Sequence, residues 1–182
     1  MGLCRQNKDL VQLTPAERST AMQSLLALDE KYPGRISAAA GPLAEARMWR
    51  AMVSAADQDA QAFPRCGCLS ACSGPQCKLA IRADGVMVPC VQMGHIELGR
   101  INEDGLADVW QYHPELLRLR QRTGVGLETF DFCTDCRYLK YCTGNCPALA
   151  YLITGDDHHP SPDACLKRFL EAGGVLPEAL KL

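Results

Sequence analysis

The chain has 182 residues and a net charge of −2, with 19 Lys and Arg against 21 Asp and Glu. This length allows one domain with a hydrophobic core and a small appendage. The charge balance offers no basic face for nucleic acid, and no apolar run approaches the roughly 18 residues of a membrane span. The first eight residues lack the apolar core of a signal peptide. We therefore expect a cytoplasmic protein with reduced thiols that binds neither nucleic acid nor membrane.

Cysteine is the unusual component of this composition. Ten of the eleven cysteines lie between residues 66 and 165, and the only earlier one is Cys4. This content is too low for a disulfide mini-protein, and the odd count disfavours a pure disulfide framework. The change in cysteine content predicts a boundary near Phe63-Pro64.

The N-terminal part predicts two helices around a short strand. A Thr-Pro-Ala-Glu capping box begins a helix over about residues 15–31, which Pro33-Gly34 ends. Residues 35–40 form a plausible strand, although alanine weakens it, and residues 43–60 are alanine-rich and helical. This order is typical of one αβ unit of a larger parallel sheet. A small helical subdomain that packs on the following residues fits equally well.

A β-hairpin is predicted in the middle of the chain. Two short apolar stretches flank Asp84-Gly85, which is a strong local hairpin signal. The hairpin would bring Cys77 and Cys90 close together at its open end, with Cys72 just before it.

Three helices are predicted after the hairpin. The first spans residues 106–121 with a break at Pro114, the second spans 147–153 and ends at Gly155, and the third spans 166–172.

We expect the arginines and histidines near these helices to lie on the surface. The run Arg118–Arg122 is most simply a solvated helix end, where positive charge suits the helix dipole. His158 and His159 lie in an acidic turn, and surface polarity is a better interpretation for them than metal ligation.

The densest group of cysteines spans residues 133–146, with the spacing C-x2-C-x5-C-x3-C. A C-x2-C pair can place two sulfurs on one metal centre without straining the backbone. Cys142 and Cys146 have helical i,i+4 spacing, but Gly144-Asn145 between them indicates a turn at least as well. Four thiolates this close would repel one another unless cations held them, so the pattern predicts a metal centre.

The unequal cysteine spacings favour iron–sulfur clusters over zinc. A structural zinc site takes four ligands, usually from two C-x2-C pairs, and this chain has one such pair. The ten later cysteines suffice for two four-cysteine clusters with two to spare. A zinc-stabilised, non-enzymatic interaction module is the alternative.

The order of the cysteines resembles that of the seven-cysteine SPASM domain. Cys72, twelve residues, Gly85, four residues and Cys90 are followed by the 133–146 group and then by Cys165. SPASM domains form the C-terminal part of many radical S-adenosylmethionine enzymes that modify peptides and proteins.

The resemblance covers about residues 66–170 and includes the stretches 99–110 and 152–156. It implies an α+β fold in which a small β-hairpin, short helices and loops wrap around two iron–sulfur clusters. Residues 1–65 then look like a helix–strand remnant of a partial TIM barrel, and residues 66–182 like the SPASM auxiliary domain.

The resemblance also implies two auxiliary 4Fe–4S clusters, used for electron relay or for engagement of a peptide substrate. The ligands of the first would be Cys66, Cys72, Cys90 and Cys146. The ligands of the second would be Cys133, Cys136, Cys142 and Cys165. Cys68 or Cys77 is an alternative to Cys66 at the first cluster.

The chain departs from the family because it lacks the C-x3-C-x2-C motif of the radical core and most of the barrel. It therefore looks like the C-terminal piece of a maturase, encoded separately or truncated, and we do not expect catalysis by this chain alone. S-adenosylmethionine would be bound only through the missing core or a separate radical SAM core chain. The other expected partners are a peptide or protein substrate and an electron donor. A fragment of a disrupted gene is a third interpretation.

Overall fold

A computed structural model describes residues 8–60 and 67–177. The helices in these residues are α1 (Lys8–Val11), α2 (Pro15–Lys31), α3 (Pro42–Asp57), α4 (Gly74–Cys77), α5 (Leu106–Tyr112), α6 (Pro114–Gln121), α7 (Pro147–Thr154) and α8 (Leu166–Glu171). The strands are β1 (Ala80–Ile81), β2 (Val86–Val88) and β3 (Gly99–Arg100). Short 3-10 turns occupy Val91–Met93, Arg122–Gly124, Leu127–Thr129, Asp131–Cys133 and Leu139–Tyr141. The predicted α+β class is confirmed.

The first long helix, α2, begins and ends as predicted. The Glu17 N–H donates to Thr14 Oγ1 (3.3 Å), and the Thr14 N–H donates back to Glu17 (2.9 Å), so the capping box is complete. Pro15 occupies the first helical position, and the chain leaves the helix at Gly34 with φ +74°. The alanine-rich helix predicted after residue 42 is likewise confirmed as α3, which packs against α2.

The predicted strand over residues 35–40 does not form. These residues pass through turns and bends to Gly41, where φ is +78°. A strand needs a neighbour for its backbone hydrogen bonds, and the three strands in the described residues pair only with one another. The N-terminal segment is therefore a helical pair, which matches the alternative interpretation and does not supply an αβ unit.

The small sheet is antiparallel, in the order β1-β2-β3. In the predicted hairpin, Ala80 lies opposite Val88, and the turn uses Gly85 at φ +86°. Asp84 closes the turn by accepting a hydrogen bond from the Val86 N–H (3.3 Å). The hairpin prediction is confirmed.

The later helices also follow local signals. Proline lacks an N–H and disfavours the helical conformation in the residue before it, so α5 ends at Tyr112 and α6 starts at Pro114. His113 lies between the two helices and accepts the Glu115 N–H at Nδ1 (3.3 Å). Helix α7 ends at Gly155 in the left-handed conformation, as predicted.

Three small hydrophobic cores hold these elements together. The first joins α2 and α3 to residues near the cysteines, through Met22, Leu26, Trp49, Met52, Tyr138, Tyr141, Leu166 and Phe169. The second joins the sheet to α5, α6 and α7, through Met87, Met93, Leu98, Val109, Leu116, Leu119 and Ala148. The third consists of Leu69, Leu127 and Cys133. Cys133 belongs to the third core, and Cys90, Cys136 and Cys142 pack against the margins of these cores.

No helix in residues 8–60 or 67–177 combines the length and the apolar character that crossing a membrane would require.

Candidate metal centre

Four cysteines at the C-terminal side of the fold come from three separate segments, and we call them the second cysteine set. Cys133 ends a 3-10 turn, and its carbonyl accepts the Cys136 N–H (3.2 Å), so the C-x2-C pair folds back on itself. Cys142 follows the next 3-10 turn, and Cys165 is the residue before α8. Leu166 and Tyr141, the neighbours of two of these cysteines, are buried in the first core and thereby position both backbones.

The thiols of the second cysteine set lie within electrostatic reach of one another. Burial raises the pKa of Cys133 to about 12, and negative charge on the other three members acts in the same direction. Burial also raises the pKa of Cys142 to about 11, although the Gly144 N–H donates to its sulfur (3.4 Å) and opposes the rise. The pKa of Cys165 is raised by burial and by Cys136. Only bound cations would make four thiolates compatible in this space.

The spacing of these sulfurs is wider than a single zinc ion requires. Four thiolates around one Zn²⁺, with Zn–S distances of about 2.3 Å, lie roughly 3.8 Å apart. Within residues 8–60 and 67–177, the only three His, Cys, Asp or Glu side chains whose ligand atoms all lie within 4.8 Å are Asp156, Asp157 and His158. No three cysteine sulfurs of the described chain are that close. A cubane cluster fits a wider set, because each cysteine binds a different iron.

The cysteines of the first predicted ligand set, here the first cysteine set, are only partly described. Cys66 lies outside the described residues. Cys72, with φ +80°, precedes α4, and Cys146 is the residue before α7. Cys90 follows β2 and packs on the same core as Ala148 of α7.

Cys72 and Cys146 line one cavity of about 470 Å³. The Ala71 N–H donates to the Thr143 carbonyl (3.0 Å), which places the two cysteine loops side by side. Both thiols are exposed, unlike Cys133 of the second set. The structure thus brings together two members of the first set on an open side of the protein.

A buried arginine accompanies these two cysteines. The side chain of Arg122 is 3% exposed, and its Nε–H donates to the Asp157 carbonyl (2.5 Å). Burial lowers the pKa of Arg122, whereas the negative charges of Asp157, Cys72 and Cys146 favour the charged form. Within the described residues, the Nη2 atom of Arg122 has no hydrogen-bond partner.

Arg118 and Asp157 form the other half of this charged group. Arg118 donates to both carboxylate oxygens of Asp157 (2.7 and 2.8 Å), and its Nε–H donates to Glu115 (2.9 Å). Burial opposes ionisation of Asp157, yet hydrogen bonds from Arg118 and His158 hold the pKa of this carboxyl below its usual value. The pKa of Arg118 is raised by its hydrogen bond to Asp157.

The prediction that Arg118–Arg122 is a solvated helix end is therefore wrong. The first and last arginines of this run, one in α6 and one in the 3-10 turn that follows it, both contact Asp157. Their i,i+4 spacing was the available sequence signal for a shared partner. The partner itself could not be identified, because it comes from a loop more than thirty residues later.

Cys68 and Cys77, the alternatives to Cys66, have different surroundings. Cys77 is exposed, and its thiol donates to the Ser73 carbonyl (3.0 Å), one turn back in its own short helix. Cys68 is half-buried and forms an isolated β-bridge with Gly126. Neither arrangement tests which cysteine completes the first set, so this ligand stays a prediction.

The histidines have structural contacts of their own. The His159 Nδ1–H donates to the Pro160 carbonyl (2.7 Å), and the ring stacks on Phe132, with ring centres 5.4 Å apart. His95 stacks on Tyr151, with ring centres 4.1 Å apart. The interpretation of His158 as a surface residue is only partly right, because it is half-buried and bonded to Asp157.

Comparison with protein-family models matches residues 72–137 to SPASM, described as an iron–sulfur cluster-binding domain. The match covers about a third of the chain and includes Cys72, Cys77, Cys90, Cys133 and Cys136. Three further cysteines of the predicted ligand sets, Cys142, Cys146 and Cys165, follow the matched region. No curated protein and no solved structure matches the chain.

The described residues fit an iron–sulfur cluster. Cysteine thiolates are the ligands that hold such clusters, and the second cysteine set supplies four of them. Beside the first set, the unpartnered Nη2 of Arg122 is a buried donor, and cluster sulfurs are hydrogen-bond acceptors.

Proposed function

We propose that this chain, which carries a SPASM iron–sulfur cluster-binding domain, holds two 4Fe–4S clusters and acts as the auxiliary unit of a radical SAM maturase. The first cluster would be held by Cys66, Cys72, Cys90 and Cys146. The second would be held by Cys133, Cys136, Cys142 and Cys165. The observation that carries the proposal is the second cysteine set itself, in which three separate segments packed on one core bring four cysteines to the same side of the fold.

The turn between Cys142 and Cys146 supports two separate clusters. Gly144 and Asn145 both have positive φ, +72° and +61°, so the backbone reverses instead of continuing as a helix. A helix would present both cysteines on one face and hence to one metal centre. In the turn, Cys142 contacts the first and third cores, whereas Cys146 is exposed and lines the cavity with Cys72.

The role proposed for the clusters is electron relay or engagement of a peptide substrate. When bound, a 4Fe–4S cluster supplies one-electron redox chemistry and, where a protein ligand is absent, an iron that can bind a substrate atom. The second set, with Cys133 buried and the other three cysteines half-buried, suits a closed cluster. The first set opens on the cavity, so a substrate or partner chain has access there.

The chemistry of radical generation would come from a separate core chain. The sequence contains no C-x3-C-x2-C triplet, and the N-terminal helical pair provides no described strand of a barrel. The unit would therefore act with a partner that binds S-adenosylmethionine, with an electron donor and with a peptide or protein substrate.

Metal analysis tests this proposal. Protein reconstituted under anaerobic conditions should hold about eight irons and eight sulfides per chain, as two cubanes require. The variants Cys142→Ala and Cys146→Ala should each lose about half of the iron, because each removes a ligand from a different cluster. Cys4→Ala is the matched control and should retain all of it.

Two outcomes would contradict the proposal. Stoichiometric zinc without iron would indicate the interaction module instead. Equal and complete iron loss in both variants, with intact folding, would indicate one shared centre and not two.

A further inference from the structure

Arg122 is a buried cation whose position is fixed by its backbone. It begins the 3-10 turn after α6, and its carbonyl accepts the Val125 N–H (2.9 Å). The Val125 carbonyl in turn accepts the Leu69 N–H (3.0 Å), three residues before Cys72. On the other side, Arg120 donates to the Pro75 carbonyl (2.9 Å), within the helix that follows Cys72. The arginine is thus attached to the Cys72 loop from both directions.

The carboxylate of Asp157 accepts no hydrogen bond from Arg122. Arg118 occupies both carboxylate oxygens of Asp157, and His158 contacts the same group (2.7 Å). Among the described residues, Arg122 donates through Nε–H to the Asp157 backbone carbonyl and not to its carboxylate. A buried guanidinium with an unused donor is costly unless a further acceptor or negative charge is present.

Within the described part of the chain, other groups whose negative charge acts on Arg122 are the thiolates of Cys72 and Cys146 and the exposed Asp156. The first two line one cavity and belong to the first cysteine set. A cluster bound by these two cysteines would bring acceptors and negative charge within electrostatic reach of the buried, unpartnered Nη2. A charge-assisted hydrogen bond of this kind is stronger than one between neutral groups.

We propose that Arg122 is a positioning residue of the first cluster, which donates Nη2–H to a cluster or cysteine sulfur and raises the cluster's reduction potential. The inference rests on the proposed function. Reduction adds negative charge, and a nearby cation stabilises the reduced state more than the oxidised state. Hydrogen bonds to the sulfurs act in the same direction. The arginine that acts on the second set, Arg168, is instead exposed and lies over the Phe132 ring, 4.3 Å from its centre.

The test compares Arg122→Met with Arg122→Lys and with Arg100→Met in anaerobically reconstituted protein. Redox titration followed by electron paramagnetic resonance measures both cluster potentials. Arg122→Met should lower the reduction equilibrium constant of one cluster about tenfold, or about 59 mV for one electron, and leave the other unchanged. Arg122→Lys keeps the charge and should restore part of that shift. Arg100, exposed at the turn end of the hairpin, is the matched control and should change neither potential.

Full iron content with two unchanged potentials in Arg122→Met would overturn the inference. If that variant fails to fold, wild-type protein labelled with guanidino-¹⁵N arginine provides the second measurement. Hyperfine spectra of the reduced wild type should show ¹⁵N coupling, and iron-loaded protein without coupling would also overturn it. An absence of iron in the wild type would instead contradict the proposed function itself.

Discussion

At Cys133 and Cys142, burial and neighbouring thiols shift the pKa in the same direction. Both residues are therefore protonated at neutral pH in the metal-free protein, and each must lose a proton before it binds a metal. Cys146 and Cys72 are exposed instead, beside the cationic Arg122. Cys133 of the second set thus differs in solvent access from Cys72 and Cys146 of the first set.

The raised pKa values predict slow alkylation of the second cysteine set in the metal-free chain. At pH 9 an ordinary thiol is half ionised, whereas a thiol with the pKa of about 12 given by Cys133 is ionised to roughly a thousandth. Iodoacetamide should modify Cys133 and Cys142 more slowly than in the urea-unfolded chain. The difference in alkylation rate between the folded and the unfolded chain should disappear as the pH rises through 11 to 12, where the folded thiols ionise.

Peptide mass spectrometry over a pH series measures these rates. Steric shielding slows alkylation by a similar factor at every pH, so the closing of the difference reports the pKa alone. A rate ratio that does not vary with pH would contradict the assigned shifts.

Cys77 and Cys72 provide a sharper test of the first ligand set. The thiol of Cys77 is engaged with Ser73 in its own helical turn, whereas Cys72 lines the cavity with Cys146. Cys72→Ala should lose about half of the iron, and Cys77→Ala should keep nearly all of it. Half of the iron lost in Cys77→Ala, with Cys66→Ala unaffected, would show that Cys77 is the ligand and that Cys66 is not.

At the level of elements, the turn between Cys142 and Cys146 separates the two cysteine sets. Gly144 has φ +72°, and a Cβ there would overlap Leu69 and lie 3.2 Å from Leu127. Gly144→Ala should therefore cost about 2–4 kcal/mol, from left-handed strain and overpacking. For a chain of this size, the thermal midpoint should fall by roughly 5–10 °C.

Gly124→Ala is the control for this substitution. No atom lies within 4 Å of the added Cβ, and the backbone is not in the left-handed region, so the change should stay within about 0.5 kcal/mol. Thermal unfolding of reconstituted protein measures both variants. A Gly144→Ala protein as stable as the control would show that this turn adapts without cost.

Arg18 connects the N-terminal helices to the loop before Cys165. It pairs with Glu45 of α3 (2.6 Å), donates to the Asp163 carbonyl (2.7 Å) and lies over the Trp49 ring, 5.5 Å from its centre. Because the side chain is only 14% exposed, Arg18→Met leaves two acceptors poorly satisfied and should cost about 2–3 kcal/mol.

The matched control is Arg47→Met. Arg47 pairs with Asp29 (2.6 Å) and donates to the Ile36 carbonyl (3.2 Å), but it is 38% exposed, so its loss should cost only about 1 kcal/mol. Thermal unfolding compares the two variants. Equal midpoints would mean that the Arg18 contacts contribute no more than an ordinary surface ion pair.

At the scale of the whole molecule, the N-terminal helices and the second cysteine set share one core. Trp49 packs on Phe169 of α8, with ring centres 4.8 Å apart, and the Tyr141 hydroxyl donates to the Ala55 carbonyl (3.0 Å). The N-terminal segment therefore supports the cysteine loops directly. The boundary predicted near Phe63-Pro64 lies outside the described residues.

The missing radical motif leads to a prediction about activity. The isolated chain, fully loaded with iron and reduced by dithionite, should not cleave S-adenosylmethionine, because no C-x3-C-x2-C triplet is present to hold an open cluster for it. Chromatographic analysis for 5′-deoxyadenosine measures this outcome. Its formation by this chain alone would show that radical chemistry does not need a partner core here.

Local signals allowed much of the secondary structure to be predicted. The capping box of α2, the Asp84-Gly85 turn, the break at Pro114 and the end of α7 at Gly155 each depend on neighbouring backbone hydrogen bonds and dihedral preferences. Those preferences act over a few residues, so the sequence alone determined these elements. The cysteine pattern likewise indicated an iron–sulfur domain, because cluster ligation requires thiolates whatever the rest of the fold.

Only the tertiary structure decided the features that join distant segments. Residues 35–40 form no strand, because a strand is stable only beside a partner and no pattern within six residues reveals one. Arg122 is buried because the loop at Asp157 folds over it. Cys165 comes within electrostatic reach of Cys133 because α8, which follows Cys165, packs on the first core. Burial and charge at these sites depend on contacts between residues more than thirty positions apart, which no local preference determines.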